Sequence, residues 1–324
     1  MNRPLIIFIT IAGIIILTLG GLLIFATKKQ QTTVVNETKL QIKKVLDETV
    51  ISPVAAYDNQ SIWYFNSEGR LFKANTDGSN LSEYPLPAIP GNKLMRVLWP
   101  KQGSDFISIA GNGTKSYYYA AGKVFINLAD NIRYLEWLPD GKRVAYIWQS
   151  GNKQQLVTAA ADGSGFKMIK DVFWPDLVLK ANSDGKTVLM YRSPALDENK
   201  IYSANLETGE IATVIDHGKN VAASWISTSK FLFATDTKVY LYDLTTKKTT
   251  DLSLSASLDK VVVDSVGKSL YAFVNNIFVK IDLDTTKSEN YFVPSSKINA
   301  KNLMLVGSTI YYTDSDNKLY MISK

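Results

Sequence analysis

A turn followed by a strand recurs about every 40 residues along most of this chain, and that recurrence constrains the fold more than any other feature. The clearest copy is Trp137-Leu138-Pro139-Asp140-Gly141-Lys142-Arg143-Val144-Ala145-Tyr146. Its Pro-Asp-Gly makes a tight turn in which the glycine tolerates positive φ, and the residues after it alternate as a strand. Related copies centre on Gly103, Gly185, Ser229, Gly267 and Gly307, with a weaker one at Gln60, giving seven units. A second turn keeps step with the first, at Asn75–Gly78, Ala121–Gly122, Ala161–Gly163, Asn205–Gly209, Asp243–Lys247 and Asp282–Lys287. Two turns per unit imply four short strands per unit, which is the spacing of propeller blades. The expected fold class is all-β, a seven-bladed β-propeller.

The last unit runs out of chain one strand short. The stretch from Thr38 to Leu46 has the character of the missing outer strand, since its Thr-Lys opening matches Thr246-Lys247 and Thr286-Lys287. An open ring leaves the faces of its end blades wet, so closure within one blade has an energetic reason. The competing assignment makes Asn36 the N-cap of a short amphipathic helix, with 38–46 as a stalk. Trp99, Trp137 and Trp225 share one repeat position, four residues before the turn centre, and are expected to pack between blades.

The unit at Trp137–Tyr146 resembles the WD40-like repeat of TolB-type propellers, whose blades carry a tryptophan, a Pro-Asp-Gly-Lys turn and an apolar strand. Leu71–Asn80 and Ala161–Phe166 look like the following hairpin of that family. The resemblance covers the repeat pattern along about 48–324 and implies an exported domain that acts by binding partner proteins.

Ahead of the repeats, Leu5 to Ala26 is uncharged and rich in Ile and Leu. A helix needs about 20 such residues to cross a bilayer, so residues 5–26 are expected to span it as a signal anchor behind a leader at 1–4. A cleaved signal peptide is the alternative, but its apolar core is about 7–15 residues and ends in small residues, whereas here Ile24 is bulky. Residues 27–37 then form a linker, and 38–324 the propeller. Lys28, Lys29, Lys39, Lys43 and Lys44 follow the apolar run and argue for a cytoplasmic domain, but long domains translocate despite such charge. The expected location is the cytoplasmic membrane, single-pass, with the propeller outside the cytoplasm.

Composition removes several chemistries. With no cysteine there is no disulfide, thiolate metal site or cysteine nucleophile, and the single histidine, His217, argues against a zinc hydrolase. The net charge of +6, from 36 basic and 30 acidic residues, is too mild and too mixed for nucleic acid. His217 beside Asp216 is read as a solvated turn residue, and the pairs Asp282/Asp284 and Asp314/Asp316 as turn formers rather than calcium ligands. No catalytic, metal or cofactor site is expected.

Two groups are candidate partner contacts. Tyr117-Tyr118-Tyr119 alternate along a strand, so either Tyr118 or the pair Tyr117 and Tyr119 faces away from the core. The long polar loop after Tyr191 offers Arg192, Asp197, Glu198 and Lys200 on one propeller face. These features lead to the expectation of a non-catalytic binding or scaffold module for an envelope protein or envelope polymer. The alternative is a propeller hydrolase or lyase with a site near the central channel, and a third possibility is a structural part of a larger secretion or division complex.

Overall fold

In the computed structural model the described residues are 40–174, 176–192, 199–236 and 238–323. The expected features of residues 1–39, including the span at 5–26 and the linker at 27–37, lie outside them. Among the described residues no helix is long and apolar enough to cross a membrane.

Residues 40–324 form a separate compact unit built from seven four-stranded antiparallel sheets. This is the seven-bladed β-propeller, and among the described residues it has one short 3-10 turn, at Leu258–Lys260. The first strands of blades one and two, three and four, four and five, six and seven, and seven and one lie beside each other, which makes the first strand of each blade its inner one. These inner strands are Ile51–Ala55, Leu94–Leu98, Ile132–Trp137, Leu177–Ala181, Ala222–Trp225, Val261–Val263 and Lys301–Val306, in blades one to seven.

Blade seven closes the ring. Its outer strand is Gln41–Lys44, which runs antiparallel to Leu319–Ser323 with Gln41 opposite Ser323 and Lys44 opposite Tyr320. Backbone N–H groups of Val45 and Val50 then donate to the carbonyls of Leu319 and Asn317. The Thr76–Gly78 turn of blade one docks against the end of that same outer strand. There Gly78 has φ +88°, and a Cβ built on it would stand 2.1 Å from the Val45 carbonyl oxygen, so only glycine fits.

The core is divided. Seven clusters of buried apolar residues occur among the described residues, one between each pair of adjacent blades. Each blade therefore buries both faces of its middle strands, as Ile62-Trp63-Tyr64-Phe65 illustrates: Ile62 and Tyr64 pack toward blade seven, Phe65 and Trp63 toward blade two. The repeated tryptophans tie the blades by hydrogen bonds. Trp99 Nε1 donates to the Ser52 carbonyl (2.7 Å), Trp137 Nε1 to Leu98 (2.9 Å) and Trp225 Nε1 to Lys180 (2.8 Å).

The anchoring turns follow their chemistry. Gly141 adopts φ +64°, and Asp140 Oδ1 accepts from the Lys142 and Arg143 amides, fixing the turn that starts the second strand.

Candidate functional site at the central channel

The inner strands decide what meets a ligand entering the ring. Their charged residues are Arg96, Arg133, Glu136, Lys180 and Lys301, which is one carboxyl and four cations. Glu136 precedes Trp137 at the end of the blade-three strand. The residue of blade four that aligns with the repeated tryptophan is Ala181, and its backbone N–H is directed to the Glu136 carboxyl instead.

Lys180 Nζ lies 3.8 Å from Glu136 Oε2, with 27% of the Glu136 side chain and 39% of the Lys180 side chain open to solvent. Protein surrounds the carboxyl on most sides, and this desolvation raises its pKa above the ordinary glutamate range. Lys180, Arg96, Lys101 and the Ala181 amide pull the other way without cancelling the burial. The buried phenol of Tyr191 is also raised by burial, with Lys180 and the Ala223 amide opposing and Glu136 adding to the rise. A carboxyl with a raised pKa next to cations can accept and return a proton, while the cations steady negative charge that develops nearby.

A cavity of about 380 Å³ lies where the inner strands of blades one, two and seven begin, lined by Ser52, Pro53 and Met95 with Asn302, Thr313 and Asn317.

The residues singled out in the sequence lie elsewhere. Tyr117 and Tyr118 are both buried, in the clusters between blades two and three and between blades one and two, and Tyr119 is exposed. Strand alternation does not expose one of the first pair, because neighbouring blades cover both faces of the sheet. Tyr117 donates to Asp105 Oδ2. Arg192 is half-buried at the end of its strand, and Asn199 Nδ2 donates to its carbonyl. Lys200 pairs with Asp216 at 2.5 Å, which holds the Asp216 carboxyl below its usual range. Asp197 and Glu198 lie outside the described residues. His217 is exposed, 3.2 Å from Asp216. Asp282 and Asp314 accept backbone N–H groups inside their own turns, as turn formers do.

Glu136 and Lys180 were not singled out by sequence reasoning. The available signal was the alignment of inner strands on the tryptophan position, which places the one acidic inner-strand residue opposite a blade where that tryptophan is an alanine.

No family model matches the sequence, and no curated protein matches it. Among solved structures the chain is similar to "Oligogalacturonate lyase in complex with manganese", with a TM-score of 0.65 at 10% identity over 87% of this chain and 93% of that one. This likeness shows the fold. Among the described residues no three His, Cys, Asp or Glu side chains converge, so the residues present do not fit a metal of the kind named there. The expectation of a binding scaffold without catalysis is corrected by this comparison, because a propeller that matches nearly the whole ring is an enzyme. That expectation leaned on the lone turn histidine and the lack of a repeated acidic position. Proton transfer needs neither, since one suitably surrounded carboxyl suffices.

Proposed function

We propose that this chain is a propeller enzyme of the lyase class, working at the central channel with Glu136 as the proton-transferring group. The observation that carries this reading is the single inner-strand carboxyl, 3.8 Å from Lys180 and close to Arg96 and Lys101. A glycoside hydrolase of the usual kind needs two carboxyl groups about 5–10 Å apart. Only Glu136 is acidic on the inner strands, so elimination, which needs one base, fits better than hydrolysis.

In this reading Glu136 takes the proton from a carbon that bears a substrate carboxylate. The electron pair of that C–H bond becomes a C=C bond as the neighbouring C–O bond breaks. Glu136 then returns the proton to the leaving oxygen, so that no further reactant is consumed. Lys180 and Arg96 stabilise the negative charge that builds on the substrate carboxylate as the C–H bond opens.

The likeness to an oligogalacturonate lyase supports acidic sugars as first substrates to try. The test follows the ultraviolet absorbance of the new C=C bond when the full chain is mixed with trigalacturonate. Product is expected with the wild type, falling by about a hundredfold to ten-thousandfold in Glu136→Gln. Equal rates in the two proteins, or no product from a panel of acidic oligosaccharides, would remove the proposal. The uncharged run at 5–26 supports attachment of the enzyme to a membrane, which carbonate extraction of native membranes checks.

A further inference from the structure

We infer that a pocket between blades two and three, walled by Tyr146, Trp148 and Phe166 with Asp162, binds a small organic cation: a quaternary ammonium group joined to an oxygen-bearing chain. The site is separate from the proposed catalytic centre. Glu136 pairs with Ala145 on the face of the blade-three sheet turned to blade four, and the pocket lies against the opposite face.

The strand register builds the pocket. Tyr146 and Trp148 stand two residues apart on the second strand of blade three, so both face blade two. Val157 and Gln155 lie opposite them on the third strand, and Met168 lies opposite Val157 on the fourth. Asp162 and Phe166 come from the segment that joins the third and fourth strands, and residues 127–129, which lead from blade two into blade three, close the other side. The space enclosed is about 400 Å³, the size of a small-molecule site.

Three aromatic side chains thus line one cavity. Among the described residues none of the three is paired with another ring. The cations that lie over rings there are Arg70 and Lys73, over Phe72 and Trp63, so no cation of the protein uses the rings of this pocket. Ring faces attract a cation through their quadrupole, and a cluster of them can replace the water around a methylated ammonium, which has no hydrogen bonds to lose.

Asp162 supplies the opposite charge. Its Oδ1 accepts from the Ser164 hydroxyl (2.7 Å) and the Ser164 backbone N–H (2.9 Å), and these bonds hold its carboxyl below the usual aspartate range. It is therefore ionised at neutral pH, and among the described residues it has no ion pair. No lysine or arginine is among the lining residues, so the pocket is complementary to a positive ligand. Two unused donors call for an oxygen on that ligand. Tyr146 is 2% exposed, and its hydroxyl has no hydrogen-bond partner among the described residues. That oxygen is not among the atoms that protein seals off without a partner, so it opens into the pocket that Tyr146 lines. The Trp148 indole N–H is likewise without a protein acceptor among the described residues. An ester or hydroxyl oxygen satisfies these donors while the ammonium group meets the rings.

The test is calorimetry on the full chain with four probes: acetylcholine, tetramethylammonium, dimethylbutyl acetate and a peptide carrying trimethyllysine. Dimethylbutyl acetate has the shape of acetylcholine with carbon in place of the charged nitrogen. Acetylcholine is expected to bind, and dimethylbutyl acetate to bind about tenfold more weakly. Tetramethylammonium, which lacks the oxygens, should bind about threefold to tenfold more weakly than acetylcholine. Phe166→Leu and Trp148→Leu keep an apolar wall without the quadrupole, and each should weaken acetylcholine about threefold to tenfold while leaving dimethylbutyl acetate unchanged. Asp162→Asn keeps the Oδ1 acceptor that holds its turn, and should weaken acetylcholine most at low salt. Thermal melting shows that each variant is folded, and Phe166, which is 73% exposed, can be changed without disturbing the core. Equal affinity for acetylcholine and dimethylbutyl acetate overturns the inference, as does the absence of acetylcholine binding. So does unchanged acetylcholine affinity in folded Phe166→Leu and Asp162→Asn. Tetramethylammonium binding as tightly as acetylcholine removes the oxygen-bearing chain, and a trimethyllysine peptide that binds more tightly than acetylcholine replaces the small molecule by a protein. Glu136→Gln should bind acetylcholine like wild type, and loss of binding in that variant would move the cation to the channel and overturn the site.

Discussion

Glu136 is ionised at a cost, because its strand holds it among protein atoms with only partial access to water. A raised native pKa means that the folded chain binds more protons than the unfolded chain between the ordinary glutamate value and the raised one. Stability therefore falls as pH climbs through that window, and Glu136→Gln should flatten this slope in urea titrations run at a series of pH values. For a base, the same shift places the acid limb of kcat/KM above the ordinary glutamate value of about 4.3. Lys180→Met removes the strongest group favouring the charged form, so the limb should move to still higher pH in a pH–rate profile. A limb that stays put would detach Lys180 from the chemistry. Nothing at the level of residue type announced this site, since a glutamate one place before a tryptophan on a strand reads as an ordinary polar position. Its surroundings come from Arg96, Lys101 and Lys180, which lie in two other blades and are distant in sequence.

Blades are held to one another by apolar layers and by one repeated polar link. Trp137→Phe keeps most of the packing while leaving the Leu98 carbonyl without its donor, and is expected to cost about 1–2 kcal/mol in urea denaturation. Trp137→Ala also empties space in the layer between blades two and three, and should cost about 3–5 kcal/mol. A Phe variant as stable as wild type would reduce the indole to a space filler. This level was the most legible one. Asp140 and Gly141 make a turn by local bonds alone, so the sequence motif carries its own geometry. The tyrosine run at Tyr117–Tyr119 misled for the opposite reason: alternation tells which residues share a face, not whether a neighbouring blade covers it.

The ring as a whole depends on how blade seven is completed. The strand expected over 38–46 is present at Gln41–Lys44, legible because its Thr-Lys opening repeats elsewhere, although its pairing partner lies at the far end of the chain. Gly78→Ala tests the seam between blades one and seven, since the added methyl must push the Val45 carbonyl away from a backbone that also disfavours it at φ +88°. A loss of about 2–4 kcal/mol is expected by chemical denaturation, and a neutral result would show that the seam yields. The pairing of Gln41–Lys44 with Leu319–Ser323 also sets an order of events during synthesis. Gln41–Lys44 must wait, unpaired, until Leu319–Ser323 has emerged from the ribosome, so closure of the ring is a long-range step that a chaperone guarding the earlier strand would be placed to assist.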